Sequence, residues 1–321
     1  MAKYHCAILY DYQNVALKMA DWSKVSGDLD IKVFNQHLGD TAAIARALQD
    51  FAIVCGMRER TPFPHELIEK LPDLKLLITT GMVNRSFDLD AAKERGVTVC
   101  GTPSFGNPTA MIAWGHIIEL TRKIGYENAR LKSGTPWQTT LGPDVEGLTL
   151  GVIGLGKLGT RVGRIGQAFG MKVIAWSQNL TPERAKENGV GFPGSKEELL
   201  KQSDIVSIHV PLSPRSRGMI GAKELGMMKP TALLVNTSRG PIVEEAPLLD
   251  ALRNNKIAGA GFDVYDIEPL PLDHPLRKMD NVTLTPHLGY VSQQNYRAYF
   301  GGVVEDIRGF LDGKPVRVLT S

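Results

Sequence analysis

The chain has 321 residues, more than one hydrophobic core usually organises, so two domains are expected. Hydrophobic residues make up 43% and charged residues 22%, the balance of a globular protein and not of a disordered one. A formal net charge of +3, no basic run interleaved with aromatics and no apolar stretch of bilayer length argue against a nucleic-acid or membrane partner.

Met1-Ala2-Lys3-Tyr4 leads into a strand-like run without cleavable signal architecture, so a cytoplasmic location is expected. From Tyr4 to about Thr102, short β-branched runs (HCAILY, IKVF, FAIVCGM, LKLLITT, VTVCG) alternate with helix-like segments, including Asp40 to Leu48 and Leu89 to Arg95. That alternation predicts a parallel sheet covered on both faces. Cys6, Cys55 and Cys100 each fall in one of these runs, with neither a C-x-x-C nor paired histidine spacing, so they read as buried core thiols and no metal site is expected. The segment from Pro108 to Lys123 reads as a helix that is apolar round much of its circumference, either a buried connector or part of a subunit interface. Met111, Ile112, Trp114, Ile117 and Ile118, with the following arm at Trp137, are expected to meet a second copy and form a homodimer.

A second α/β series starts at Leu148, with strand runs LTLGVIGLG, MKVIAWS, DIVSIHVPL, ALLVNTS, GAGFDVY and VTLTPH. Ser292 to Leu311 then reads as one amphipathic helix with no strand after it, able to pack back on the first series. The fold class is therefore α/β, with two doubly wound parallel-sheet domains: residues 1–103 and 290–321 form one, and residues 104–289 the other.

Gly154-Leu155-Gly156-Lys157-Leu158-Gly159 follows a predicted strand and opens a predicted helix. Glycines at this spacing permit a tight turn, close backbone approach to a pyrophosphate and close helix–strand packing, with the helix N-terminus facing the anion. The second domain is thus expected to be a Rossmann dinucleotide-binding domain. The strand after it ends Ala175-Trp176-Ser177-Gln178-Asn179, where an NAD-selective site usually carries a carboxylate for the ribose hydroxyls. With none present, the expected cofactor is NAD or NADP, the balance tilting to NADP. Arg184 is a candidate cation for a 2′-phosphate or simply a solvated helix residue.

Three ionisable residues lie at or beyond predicted strand C-termini: Arg239 in NTSRG, Glu268 in DVYDIEP and His287 in TPHLG. With the cradle, in this order and spacing, they closely resemble the D-isomer-specific 2-hydroxyacid dehydrogenase family, and the resemblance spans nearly the whole chain. It implies hydride transfer between NAD(P)H and a small 2-keto acid or D-2-hydroxy acid, such as glyoxylate, hydroxypyruvate or a related compound. Arg239 would hold the carboxylate and polarise the carbonyl, His287 would exchange the proton, and Glu268 would fix the imidazole tautomer and favour its charged form. The first domain would be a flavodoxin-like substrate domain.

The resemblance also implies cofactor contacts at Thr109, His209, Val210, Pro211, Thr237 and Asp263. For Asp263 a helix or loop cap is the competing reading, and His209 is read as packing or cofactor contact ahead of proton transfer. The substrate loop matches Thr80 to Arg85, with Met82, Val83, Arg85 and Arg58 as substrate-binding candidates. Val83 and Arg85 depart from the family's usual Gly and Asp there, so a reshaped loop and a bulkier or more anionic substrate are expected. Met111 stands where relatives often carry Glu. The alternative, from another functional class, is a nicotinamide-dinucleotide-sensing binding protein or corepressor of the same fold, because fold alone does not decide function.

Overall fold

The computed structural model describes residues 3–320. Met1 and Ala2, from the signal-peptide reading, and Ser321 lie outside the described residues. The chain forms two compact units, one holding the residues up to Gly106 and from Val291 onward, the other Asn107–Tyr290.

The first unit is built on β1 (Tyr4–Leu9), β2 (Leu29–Phe34), β3 (Ile53–Gly56), β4 (Leu76–Thr79) and β5 (Thr98–Gly101), paired in parallel in the order β2-β1-β3-β4-β5. This is the flavodoxin-like order, and its reversal falls between β1 and β3. Helices α1 (Thr41–Leu48), α2 (His65–Glu69) and α3 (Leu89–Glu94) connect the strands. The Asp40 and Asp88 carboxylates cap α1 and α3 by accepting from the Ala43 and Ala91 amides, each worth about 1 kcal/mol. With only five residues, α2 is too short to show a helical period in the sequence. Cys6, Cys55 and Cys100 sit buried on β1, β3 and β5, and burial holds the Cys100 thiol up at about 12, so it stays protonated.

The second unit opens with α4 (Thr109–Arg122) and α5 (Ile124–Lys132). Then follow β6 (Thr149–Ile153), α6 (Lys157–Ala168), β7 (Lys172–Trp176), α7 (Pro182–Glu187), α8 (Lys196–Gln202) and β8 (Ile205–Ile208). The unit continues with α9 (Ala222–Leu225), β9 (Leu233–Asn236), α10 (Glu245–Arg253), β10 (Gly259–Phe262) and β11 (Val282–Leu284). All strands are parallel, in the order β11-β10-β9-β8-β6-β7. Gly191 makes a single parallel bridge to Ile174 on the free edge of β7, so the outermost strand of this Rossmann sheet is reduced to one residue.

Part of the interface expectation is corrected by α4. Trp114 and Ile117 point inward, the Trp114 indole donating to the Val162 carbonyl at 3.1 Å, and both belong to the core shared with β6, α6 and β7. Their apolar character is used inside one chain. Met111 stays exposed, as do Ile124, Leu131, Trp137 and Leu141 beyond it.

The last helix, α11 (Gln293–Leu311), starts at Ser292, whose hydroxyl accepts from the Asn295 amide. It lies against β4 and β5, burying Tyr296, Tyr299, Phe300, Val303 and Ile307. The tail then adds what the sequence did not show: the Gly101 amide donates to Arg317 and the Leu319 amide to Val99, making an antiparallel bridge at Cys100 and Val318. Edge strand β5 would otherwise leave those backbone groups without ladder partners. Among the described residues no helix is long and apolar enough to cross a membrane, and no group of three metal-ligating side chains occurs.

Candidate active site

In the second unit the strand order reverses between β6 and β8, the place where open α/β sheets bind ligands. Gly154 leaves β6 there with φ 100°, and a Cβ on it would lie 2.6 Å from the His209 carbonyl oxygen. A Cβ on Gly159 would lie 1.9 Å from the Gly154 carbonyl oxygen, so the first turn of α6 packs directly on the strand end. At Gly156, which precedes α6, a Cβ would meet nothing within 4 Å, and no side chain caps the helix. The first amides of α6 are therefore left without a side-chain cap beside the open space at Gly156, at the positive end of a helix, the surroundings a pyrophosphate requires.

Two further observations fit a polar cofactor at this rim. The Thr237 hydroxyl oxygen beyond β9 and the His209 Nδ1 beyond β8 are buried without a hydrogen-bond partner. Buried polar atoms are rarely left unsatisfied in a working structure. The Nε2 of His209 bonds the Ser207 hydroxyl at 2.8 Å, and burial pushes the imidazole down to about 3, so it is neutral and unsuited to giving up a proton near pH 7. Val210 and Pro211 continue this edge, and Ser177, Gln178 and Asn179 follow β7 with Gln178 and Asn179 exposed. The pocket beside the cradle is lined by Lys157 and Arg184 among others.

The two residues expected to handle the proton stand in contact. His287 Nδ1 stands 2.7 Å from Glu268 Oε2, and the other Glu268 oxygen accepts from the Tyr265 amide at 3.0 Å. An ionised carboxylate only accepts, so Nδ1 carries the hydrogen and Nε2 is the nitrogen that changes protonation state. Arg239 lies just beyond β9, half-buried, its guanidinium donating to the Ser238 carbonyl and its own carbonyl accepting from the Asn236 amide group. A Cβ on the neighbouring Gly240 would fall 2.1 Å from the Tyr265 carbonyl carbon, which shows how closely the Arg239 loop lies on the loop leading to Glu268.

Asp263 caps the loop from Thr285 to Gly289. Its carboxylate accepts from the Thr285 hydroxyl and the Leu288 amide on one oxygen and from the Gly289 amide on the other. Burial still raises this carboxyl, outweighing those bonds and the nearby His287. Behind it, the buried His116 ring on α4 bonds the Thr285 and Thr283 hydroxyls, and burial takes its pKa to about 4. Thr109, at the start of α4, donates to the Gly289 carbonyl at 2.8 Å. The His116–Thr285–Asp263 chain went unread in the sequence, because its members come from three segments with no local motif.

In the first unit, Arg58 beyond β3 and the loop after β4 interlock. The Arg58 amide donates to the Thr80 hydroxyl, its guanidinium to the Thr80 carbonyl, and the Asn84 side chain donates to the Arg58 carbonyl. The left-handed residue of this loop is Gly81, at φ 93°, while Val83 is not in that region, so the departure from glycine at Val83 creates no backbone strain. Met82, Val83 and Arg85 are exposed, and the Arg85 amide reaches the Glu59 carboxylate.

A family model described as the NAD binding domain of the D-isomer specific 2-hydroxyacid dehydrogenases matches residues 114–289, more than half of the chain. This chain belongs to the D-isomer-specific 2-hydroxyacid dehydrogenase family. The matched span runs from α4 through the cradle to the loop that carries His287. A hydroxypyruvate reductase of Blautia hydrogenotrophica is 30% identical over 311 residues, which cover 93% of this chain and 94% of that protein. A glyoxylate reductase of Aeropyrum pernix is 36% identical over 258 residues, 78% of this chain and 77% of that one. The crystal structure of a phosphoglycerate oxidoreductase from Vibrio cholerae matches with a TM-score of 0.91 at 34% identity, covering 98% of this chain and 100% of that one. As a member of the family the protein is an oxidoreductase that uses a nicotinamide dinucleotide on the CH–OH group of 2-hydroxy acids.

Proposed function

We propose that the protein reduces a small 2-keto acid of the glyoxylate or hydroxypyruvate type to the D-2-hydroxy acid, with Arg239, His287 and Glu268 as its catalytic residues. The observation that carries this reading is the 2.7 Å contact between His287 Nδ1 and Glu268 Oε2 at the strand rim that also presents the cradle. The names of the Blautia and Aeropyrum relatives support the substrate class. The bound nicotinamide supplies the hydride in one direction and accepts it in the other. Arg239 grips the substrate carboxylate with a two-point guanidinium fork. His287 gives a proton from Nε2 to the carbonyl oxygen and takes it back in oxidation. Glu268 keeps the hydrogen on Nδ1 and stabilises the imidazolium. Substrate selection falls to Arg58, Met82, Val83 and Arg85.

Gly154, Gly156, Lys157, Leu158 and Gly159 hold the pyrophosphate, with Ser177, Gln178, Asn179, His209, Val210, Pro211, Thr237 and Thr109 round the rest of the dinucleotide. Asp263 acts behind the reacting atoms by fixing the 285–289 loop. Ser177 puts no carboxylate against a 2′-phosphate, which supports NADP alongside NAD. The exposed apolar side chains of Met111, Ile124, Leu131, Trp137 and Leu141 support a homodimer, and three buried, unpaired thiols suit the cytoplasm. A panel of 2-keto acids assayed with NADH and NADPH tests the reading. Oxidation of either cofactor by glyoxylate or hydroxypyruvate is expected, and dinucleotide binding without turnover of any keto acid would overturn it.

A further inference from the structure

The outer faces of α6 and α7 carry cations that proton and hydride transfer do not use. Lys157, Arg161 and Arg164 follow one another at i, i+4 and i+7, which puts them on one exposed stripe of α6. Arg184 comes from α7, and the four line a single pocket of about 430 Å³ together with Thr160 and Asn188. The pocket opens at Gly156, beside the uncapped amides of the cradle.

Among the described residues none of these four cations has an ion-pair partner, although they line one cavity. The acid nearest in sequence to Arg184, Glu183, bonds its own helix cap at Thr181. Four like charges round one cavity repel one another, and an anion with several oxygens relieves that repulsion. A single carboxylate would neutralise one of them. A phosphate group carries more charge and presents the oxygen pairs that guanidinium forks match.

We propose that this pocket binds a phosphate group next to the pyrophosphate cradle, through Arg161, Arg164 and Arg184. The group belongs either to the 2′ position of NADP, in which case the inference rests on the dinucleotide reading above, or to a separate phosphate compound.

Calorimetric titration of the whole chain tests it, comparing the parent with an Arg161→Gln/Arg184→Gln double variant whose substitutions are on the surface. NADH, NADPH and inorganic pyrophosphate are the probes, the last added to NADH-saturated protein so that the cradle is filled. If the 2′-phosphate is the source, the variant's Kd for NADPH rises by at least about tenfold while that for NADH rises several times less. If a separate compound is the source, pyrophosphate binds the NADH-saturated parent and the variant loses that binding. Equal affinities of parent and variant for all three probes overturn the pocket. A parent that binds neither dinucleotide overturns the dinucleotide reading instead, and pyrophosphate titration of the free protein then decides the pocket alone.

Discussion

His287 holds a backbone angle that few residues other than glycine adopt, φ 54°, and its neighbours explain why it stays there. Its own amide bonds the Thr285 carbonyl, and the next two amides are fixed by Asp263. Both Asp263 oxygens accept, so Asp263→Asn must turn an amide N–H towards one of these donors. The expected cost is about 1–3 kcal/mol, read from urea unfolding. An unchanged midpoint would show that the clamp matters little. At the cofactor end, Ser177→Asp introduces a negative charge where a 2′-phosphate would lie, so the ratio of kcat/KM for NADPH over NADH should fall by about tenfold or more. A ratio that stays put would place the 2′ group elsewhere. The three residues proposed as catalytic were legible as candidates because each lies in a short motif at or beyond a strand end. The Asp263 clamp was less so, because its amide partners are 25 and 26 residues away in sequence.

Most strands and long helices were legible from short β-branched runs and helical periodicity, the signals a doubly wound sheet leaves. Three features were not. Helix α2 is too short for periodicity, the Gly191 bridge is a strand of one residue, and the tail beside β5 meets it at a single bridge, too short a segment to leave an alternating pattern. That tail is anchored by Arg317, whose guanidinium reaches Asp306, Glu305 and the Gly302 carbonyl. Asp306 has no exposed surface, one of its oxygens lacks a partner, and burial outweighs the Arg317 pairing to raise its carboxyl to about 7. An unfolded aspartate titrates near 3.9, about three units lower. The folded state therefore holds this proton more tightly, so the Asp306 contribution to stability is complete below about pH 4 and lost as pH rises through 7. Asp306→Asn removes that loss, so the Tm difference, variant minus parent, should grow from pH 4.5 to pH 7.5. A difference that is flat across this range would mean that Asp306 is not the titrating group.

For the whole molecule, the length of 321 residues led to the expectation of two domains, and the chain forms two compact units, while the proposed substrate residues Val83 and Arg85 lie in a loop that obeys no periodic rule. The apolar side chains left exposed on α4, α5 and the arm at Trp137 bear on assembly. Sedimentation at micromolar concentration should show a dimer, and Trp137→Glu should shift it towards monomer by burying an unpaired charge at the contact. A monomeric parent would refute the assembly.

The assignment of His287 as proton donor is tested most directly by measuring kcat for 2-keto acid reduction and Kd for the dinucleotide on one preparation of His287→Gln. Loss of a positioned general acid predicts a fall in kcat of about a hundredfold or more, with Kd little changed because the Gly154–Gly159 cradle is intact. Near-parental kcat would contradict the assignment.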